Sequence, residues 1–167
     1  MPVPYYIAVM LHVVAAFVWV GGVLMIGAVA LPAARNLPEE QQRPAISAIA
    51  RRFRPIGWTA LAVLLLTGLF MLWEWGARPA NLIDLSFFEI DRNKPLGIKL
   101  LLVIAMIISS GLHDWWVGPR ATELADEDPE RAESWRRWAG ILGIGTGVFV
   151  LGVVLIAIVV ARPWMTL

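Results

Sequence analysis

Charged side chains cluster along the chain, and the stretches between the clusters are almost wholly apolar. From residue 1 to 36 the sole Asp, Glu, Lys or Arg is Arg35, and residues 55–73 and 138–161 carry none. Each of these runs reaches the ~20 residues that a helix rising ~1.5 Å per residue needs to cross a bilayer. A further run, 100–113, is shorter and lies between Lys99 and Asp114. It lengthens to about 95–118 when the Lys99 stem carries its ammonium toward the headgroups. The pattern predicts an all-α integral membrane protein with spans near 5–31, 54–75, 96–118 and 139–161. The expected architecture is an up-down four-helix transmembrane bundle forming a single domain over 1–167.

Composition agrees and narrows the chemistry. The chain is 59% hydrophobic and 16% charged, against ~45–50% apolar and ~25% charged in soluble domains. With 14 Lys and Arg against 13 Asp and Glu there is no basic footprint for nucleic acid. The absence of cysteine excludes disulfides, thiolate zinc sites, iron–sulfur clusters and thiol chemistry. No Gly-rich phosphate loop, zinc-protease helix or nucleophile–base pair is present. The first apolar run lacks a basic n-region and exceeds the ~7–15 residues of a signal h-region, so it reads as a span.

Arginine and lysine placement predicts orientation. Arg35, Arg43, Arg51, Arg52 and Arg54 follow the first span, and Arg120, Arg131, Arg136 and Arg137 follow the third. The other side has Arg78, Arg92, Lys94, Lys99 and Arg162. This bias predicts a cytoplasmic-membrane protein with both termini outside. Tyr5, Tyr6, Trp73, Trp75 and Trp164 then mark the outer interface and Trp115, Trp116, Trp135 and Trp138 the inner one. Trp19 and Trp58 fall inside spans and need another explanation.

In the connections, Asn36-Leu-Pro-Glu-Glu reads as a helix start with Asn36 as N-cap. Ala45, Ile49 and Phe53 continue as an amphipathic stripe on the inner surface, with a kink expected at Pro55. Asp128-Pro129-Glu130 is a second start signal, and Glu133 and Arg137 form an i,i+4 pair. Phe87, Phe88 and Ile90 are too apolar for a free linker and suggest an interfacial element or a lid. Ala139, Gly143 and Gly147 put small residues on one face of the last span, suited to close packing within the bundle, across a homo-oligomer, or in a larger complex.

The chain has two histidines, His12 and His113. An ionisable side chain in a span is costly to bury, which makes both functional candidates. With residue 19 at mid-membrane, His12 lies ~10 Å toward the outside; with residue 107 there, His113 lies ~9 Å toward the inside. That separation argues against both rings ligating one haem iron. Met71 shares the depth of His12, with Lys99, Glu74 and Met10 at or beyond that level. Met25 and Trp58 share the depth of His113, beside which Asp114 stands. Imidazole with thioether suits copper, especially Cu(I), and also haem iron. His12, Ala15, Ala16, Trp19 and Gly22 lie along one helix face, able to receive either a planar cofactor or another helix.

These residues resemble a known family. Leu11-His12-Val-Val-Ala-Ala-Phe-Val-Trp19-Val-Gly21-Gly22 resembles the opening helix of the copper resistance D family. Arg51-Arg-Phe-Arg-Pro-Ile-Gly-Trp58 and Leu96-Gly-Ile-Lys99-Leu-Leu-Leu-Val103 resemble its next two helices. The His-to-Trp-Gly-Gly pattern is also similar to the HemJ type of protoporphyrinogen oxidase, a four-helix membrane protein associated with haem b. The resemblance implies copper handling across the cytoplasmic membrane or, alternatively, haem b binding or oxidoreduction. The expected metal ligands are His12, Met71 and His113. His12, Trp19 and His113 would contact a cofactor, and Lys99 is carried over with the motif. A non-catalytic subunit of a larger membrane complex is the remaining expectation.

Overall fold

The computed structural model describes residues 3–90, 93–124 and 127–160. Arg92, Arg162, Trp164 and the final residue of the fourth expected span lie outside the described residues. Among those described there is no strand. Four helices are each long and apolar enough to cross a membrane: α1 (Val3–Arg35), α2 (Glu39–Glu74), α3 (Lys94–Glu123) and α4 (Pro129–Val160). Each expected span falls on one of them, and the helices run past the hydrocarbon: α2 has 36 residues, about 54 Å against a core of about 30 Å. The chain divides into two compact units, Met1–Asp84 and Leu85–Leu167. Each is a hairpin of two long helices.

In the first hairpin the buried residues of α1 between Val3 and Met25 are Tyr5, Ala8, Ala15 and Trp19. With His12 they recur in three- and four-residue steps, the spacing of a seam facing one neighbour. That neighbour is α2, whose buried residues are Gly57, Ala60, Leu61 and Thr67. The contacts run antiparallel. The Trp75 indole N–H donates to the Tyr5 hydroxyl at 3.0 Å, and His12 meets Thr67 at 2.8 Å. The Phe53 ring occupies the space that a Cβ on Gly22 would need. The small residues beside Trp19 therefore admit a helix, and Trp19, 5% exposed, is part of the seam.

The second hairpin follows the same logic. Met106 and Ser109 are buried on α3, facing Thr146 and Val150 on α4. Leu102 packs at Gly152, and the Ser109 and Thr146 hydroxyls are 2.9 Å apart. The Ser109 hydroxyl also donates to the Leu142 carbonyl at 3.2 Å. Hydrogen bonds between helices in a membrane contribute roughly 0.6 kcal/mol on average, up to about 1.7. Tight apolar packing supplies the rest.

Prolines explain the local geometry. Ile26–Ala30 and Leu112–Val117 are π-helical turns, within α1 and α3 respectively. Both end two residues before a proline, Pro32 and Pro119. Proline lacks an N–H, and its ring collides with the carbonyl four residues back. Widening the preceding turn relieves that collision, leaving Leu31 to donate to the Ile26 carbonyl and Gly118 to the His113 carbonyl. α2, by contrast, continues unbroken through Pro44 and Pro55.

The ends differ partly from expectation. Asn36 closes α1, its N–H donating to Ala33 and Ala34 carbonyls. α2 instead starts after Pro38, with Glu39 and Glu40 in its first turn. The Gln42 amide ties the connection by donating to the Arg35 and Leu37 carbonyls at 3.1 and 2.9 Å. The positive φ of +85° at Gly76 ends α2, with Ala77 N–H donating to Leu72 and Gly76 N–H to Trp73. Asp128 does cap α4, accepting from the Arg131 N–H at 3.0 Å. Phe88 lies against Gly97 at the start of α3, held by the Asn93 amide donating to the Phe87 carbonyl.

Adjacent glycines give a controlled test of the first seam. Gly22→Ala places a methyl where the Phe53 ring sits, while nothing lies within 4 Å of a Cβ on Gly21. Thermal unfolding in mild detergent should show Gly22→Ala less stable by about 1–3 kcal/mol, with Gly21→Ala close to the parent. Equal effects would contradict the seam.

Candidate functional site

The candidate site of the first hairpin is built around His12. Its Nδ1 lies 2.8 Å from the Thr67 Oγ1. That hydroxyl has one proton, and it donates to the Val63 carbonyl at 2.6 Å. Thr67 is therefore the acceptor toward the ring, and the imidazole carries its proton on Nδ1. In the neutral tautomer the lone pair is then on Nε2, where a histidine binds a metal or accepts a proton. A buried hydroxyl or carbonyl in this position is the usual way a ligand histidine is oriented. Gly68 supplies room beside the ring: a Cβ there would be 3.5 Å from His12 Cε1.

Met71 follows Thr67 by one turn on the same face of α2. It is half-buried, whereas Glu74 and Met10 are exposed. Of the aromatic residues expected at the outer interface, Tyr5, Tyr6, Trp73 and Trp75 stand at this end of the first hairpin. Tyr5 and Tyr6 stand edge to face at 6.1 Å, and the Arg78 guanidinium sits 4.0 Å over the Trp73 ring. Arg78 also donates to the Trp73 carbonyl at 3.0 Å, covering the end of α2.

The second hairpin has its own polar group. His113 stands in the π-helical turn of α3, with Nδ1 3.0 Å from an Asp114 carboxylate oxygen. Asp114 accepts from Nδ1, which again leaves Nε2 as the acceptor atom in the neutral ring. Across from it, a Cβ on Gly143 would be 4.0 Å from Nε2. One member of the small-residue face of α4 thus serves the hairpin itself. At Gly147 nothing lies within 4 Å of the Cβ position, and Ala139 is half-buried. One turn from His113, Ser109 and Thr146 form the hydroxyl pair, and the adjacent Ser110 Oγ is shielded without a hydrogen-bond partner among the described residues.

Lys99 is half-buried near the start of α3, two residues beyond the Gly97–Phe88 contact. Met25 is exposed and Trp58 half-buried. Among the described residues no three or more His, Asp or Glu side chains gather as a metal-holding group. Sequence reasoning singled out both histidines, Asp114 and Met71. It missed Thr67, Gly68, Ser109 and Thr146. The available signal was a hydroxyl or glycine interrupting an apolar helix, which is legible only once the opposing helix is known.

Known proteins bear on this arrangement. A family model described as "Copper resistance protein D" matches residues 47–161. The match takes in Thr67, Gly68, Met71, Lys99, His113 and Asp114, together with two of the three resembling motifs, while α1 with His12 and Trp19 precedes it. A protein of Aquifex aeolicus (strain VF5) described as "Uncharacterized protein" is 30% identical over 137 residues, covering 80% of this chain and 81% of its own. No solved structure matches. Four membrane-spanning helices, a family match over most of their length and a relative aligned across most of both chains lead to one conclusion: this chain is a multi-pass membrane protein of the copper resistance protein D family.

Proposed function

We propose that the protein binds or moves copper at the cytoplasmic membrane, with the ion as cargo and the first hairpin as its donor site. His12 Nε2 is the principal ligand and the Met71 thioether the second. The observation that carries this reading is the chain from His12 Nδ1 to Thr67 to the Val63 carbonyl, because it selects the tautomer that a metal requires. Imidazole and thioether together favour Cu(I) over harder ions. The lack of a three-member His, Asp or Glu group among the described residues accords with a low-coordinate, soft site. Glu74, exposed at the same end of the first hairpin, supplies negative charge to draw a cation. His113, with its Nε2 at the Gly143 notch, is a second donor.

Haem b binding is the other reading, favoured by a glycine beside each imidazole, Gly68 and Gly143. His12 or His113 would hold the iron. Trp19, buried in the helix seam, is not available to stack on a macrocycle without repacking α1.

Two measurements test the copper reading. Copper bound to purified full-length protein should fall sharply in His12→Ala. Thr67→Val, which removes only the orienting hydroxyl, should weaken Cu(I) binding about 10–100-fold, and Thr67→Ser should restore it. Unchanged copper content in His12→Ala would end the proposal, and a Soret band in copper-free protein expressed with haem would favour the alternative. For orientation, five arginines at 35–54 and four at 120–137 support a topology with those connections inside. Alkaline phosphatase fused after α4 should therefore be active, and the same enzyme inserted in the α3–α4 connection inactive.

A further inference from the structure

The end of the second hairpin carries an arginine seated on two indoles. The Arg120 guanidinium carbon is 4.6 Å from the centre of the Trp116 ring and 5.4 Å from that of Trp135. Neither contact takes up its N–H edge, since the attraction is to the ring faces. Among the described residues Arg120 forms no ion pair. Arg136 and Arg137 are different, lying 2.7 and 3.6 Å from the Glu133 carboxylate. Arg120 is exposed to its surroundings, and a guanidinium fork held over ring faces with open donors is suited to a phosphate or carboxylate.

Trp135 also lines a groove of about 440 Å³ with Val117, Arg131, Ser134, Trp138 and Leu142. Its walls change character along α4. Arg131 lies toward the polar start of that helix, and Trp138 and Leu142 begin the stretch without charges. Ser134 contributes no donor, because its hydroxyl donates to the Arg131 carbonyl at 2.8 Å. Arg131 itself is largely exposed, and its Nε is 3.9 Å from Asp128, at the limit of an ion pair. Arg131 thus lines the groove, Arg120 stands over the ring of its neighbour Trp135, and the apolar wall continues into the membrane-spanning stretch.

We propose that this groove binds one anionic phospholipid, with its phosphate held by Arg120 and Arg131 and its first methylenes against Val117, Trp138 and Leu142. Diffuse attraction does not explain such binding: residues 118–138 hold four arginines against six Asp and Glu, so the segment as a whole repels an anionic surface. Selectivity must come from local geometry. An ordinary interfacial belt of Trp and Arg would show no headgroup preference, and a soluble phosphate would have no use for the apolar floor.

The test uses full-length protein in nanodiscs of phosphatidylglycerol or phosphatidylcholine, with lipid retention counted by native mass spectrometry. One phosphatidylglycerol should be retained about tenfold better than phosphatidylcholine. Arg120→Gln should abolish the preference and Arg131→Gln should weaken it. Arg136→Gln removes the same charge from a residue already paired with Glu133 and should leave the preference intact. Should Arg120→Gln fail to fold, Arg131→Gln alone carries the test. Equal retention of the two lipids, an equal loss in Arg136→Gln, or displacement of the lipid by millimolar inorganic phosphate would each overturn the proposal.

Discussion

A polar side chain taken into hydrocarbon must find its partner within protein, and this requirement shapes both hairpins. His12 is tolerable in α1 because Thr67 accepts its proton from the opposing helix, and Thr67 is tolerable in α2 because its hydroxyl reaches back to Val63. Ser109, Thr146 and the Leu142 carbonyl repeat the arrangement between α3 and α4. Such bonds are individually modest. They nevertheless set helix rotation and register, since a hydroxyl turned toward lipid would lose its interhelical partner. Glycine opposite Phe53 and glycine opposite each imidazole permit the close approach that makes the bonds short.

The same requirement accounts for the irregular backbone. Pro32 and Pro119 each remove a donor inside a helix, and in both cases the preceding turn widens rather than breaking. The second widening has a chemical consequence, because His113 and Asp114 stand within it. One proline thus sets the backbone on which an imidazole–carboxylate pair is displayed beside Gly143. The widened turn belongs to the mechanism of display and is no defect of α3.

Membership of the copper resistance protein D family and the geometry of the first hairpin bear on different parts of one reading. The family match begins within α2 and includes Thr67 and Met71, whereas His12 precedes it. The link between them is the hydrogen bond across the hairpin, which makes a residue outside the matched segment depend on one inside it. At the opposite end of the chain's hydropathy pattern, the aromatic belt of α3 and α4 acquires a specific meaning. Arg120 on two indoles is a preorganised donor, distinct from the arginines paired to Glu133.

The four helices were legible in the chain itself, because hydrocarbon tolerates neither frequent charge nor open backbone, and both leave their mark on composition and spacing. The two histidines stood out for the same reason of cost. The start of α4 at Asp128 was equally plain, since capping is local chemistry. Asn36 misled because proline two residues on moved the helix start to Glu39. Between a cofactor cleft and a helix seam beside Trp19, periodicity alone had no means of choosing: both need small residues at the same spacing. Rotation and register of the opposing helices bury Trp19 and seat Phe53 at Gly22, and they also selected Thr67, Gly68 and Gly143 as the neighbours of the imidazoles. Those choices depend on contacts between residues far apart in the chain, where spacing along a single helix carries no information.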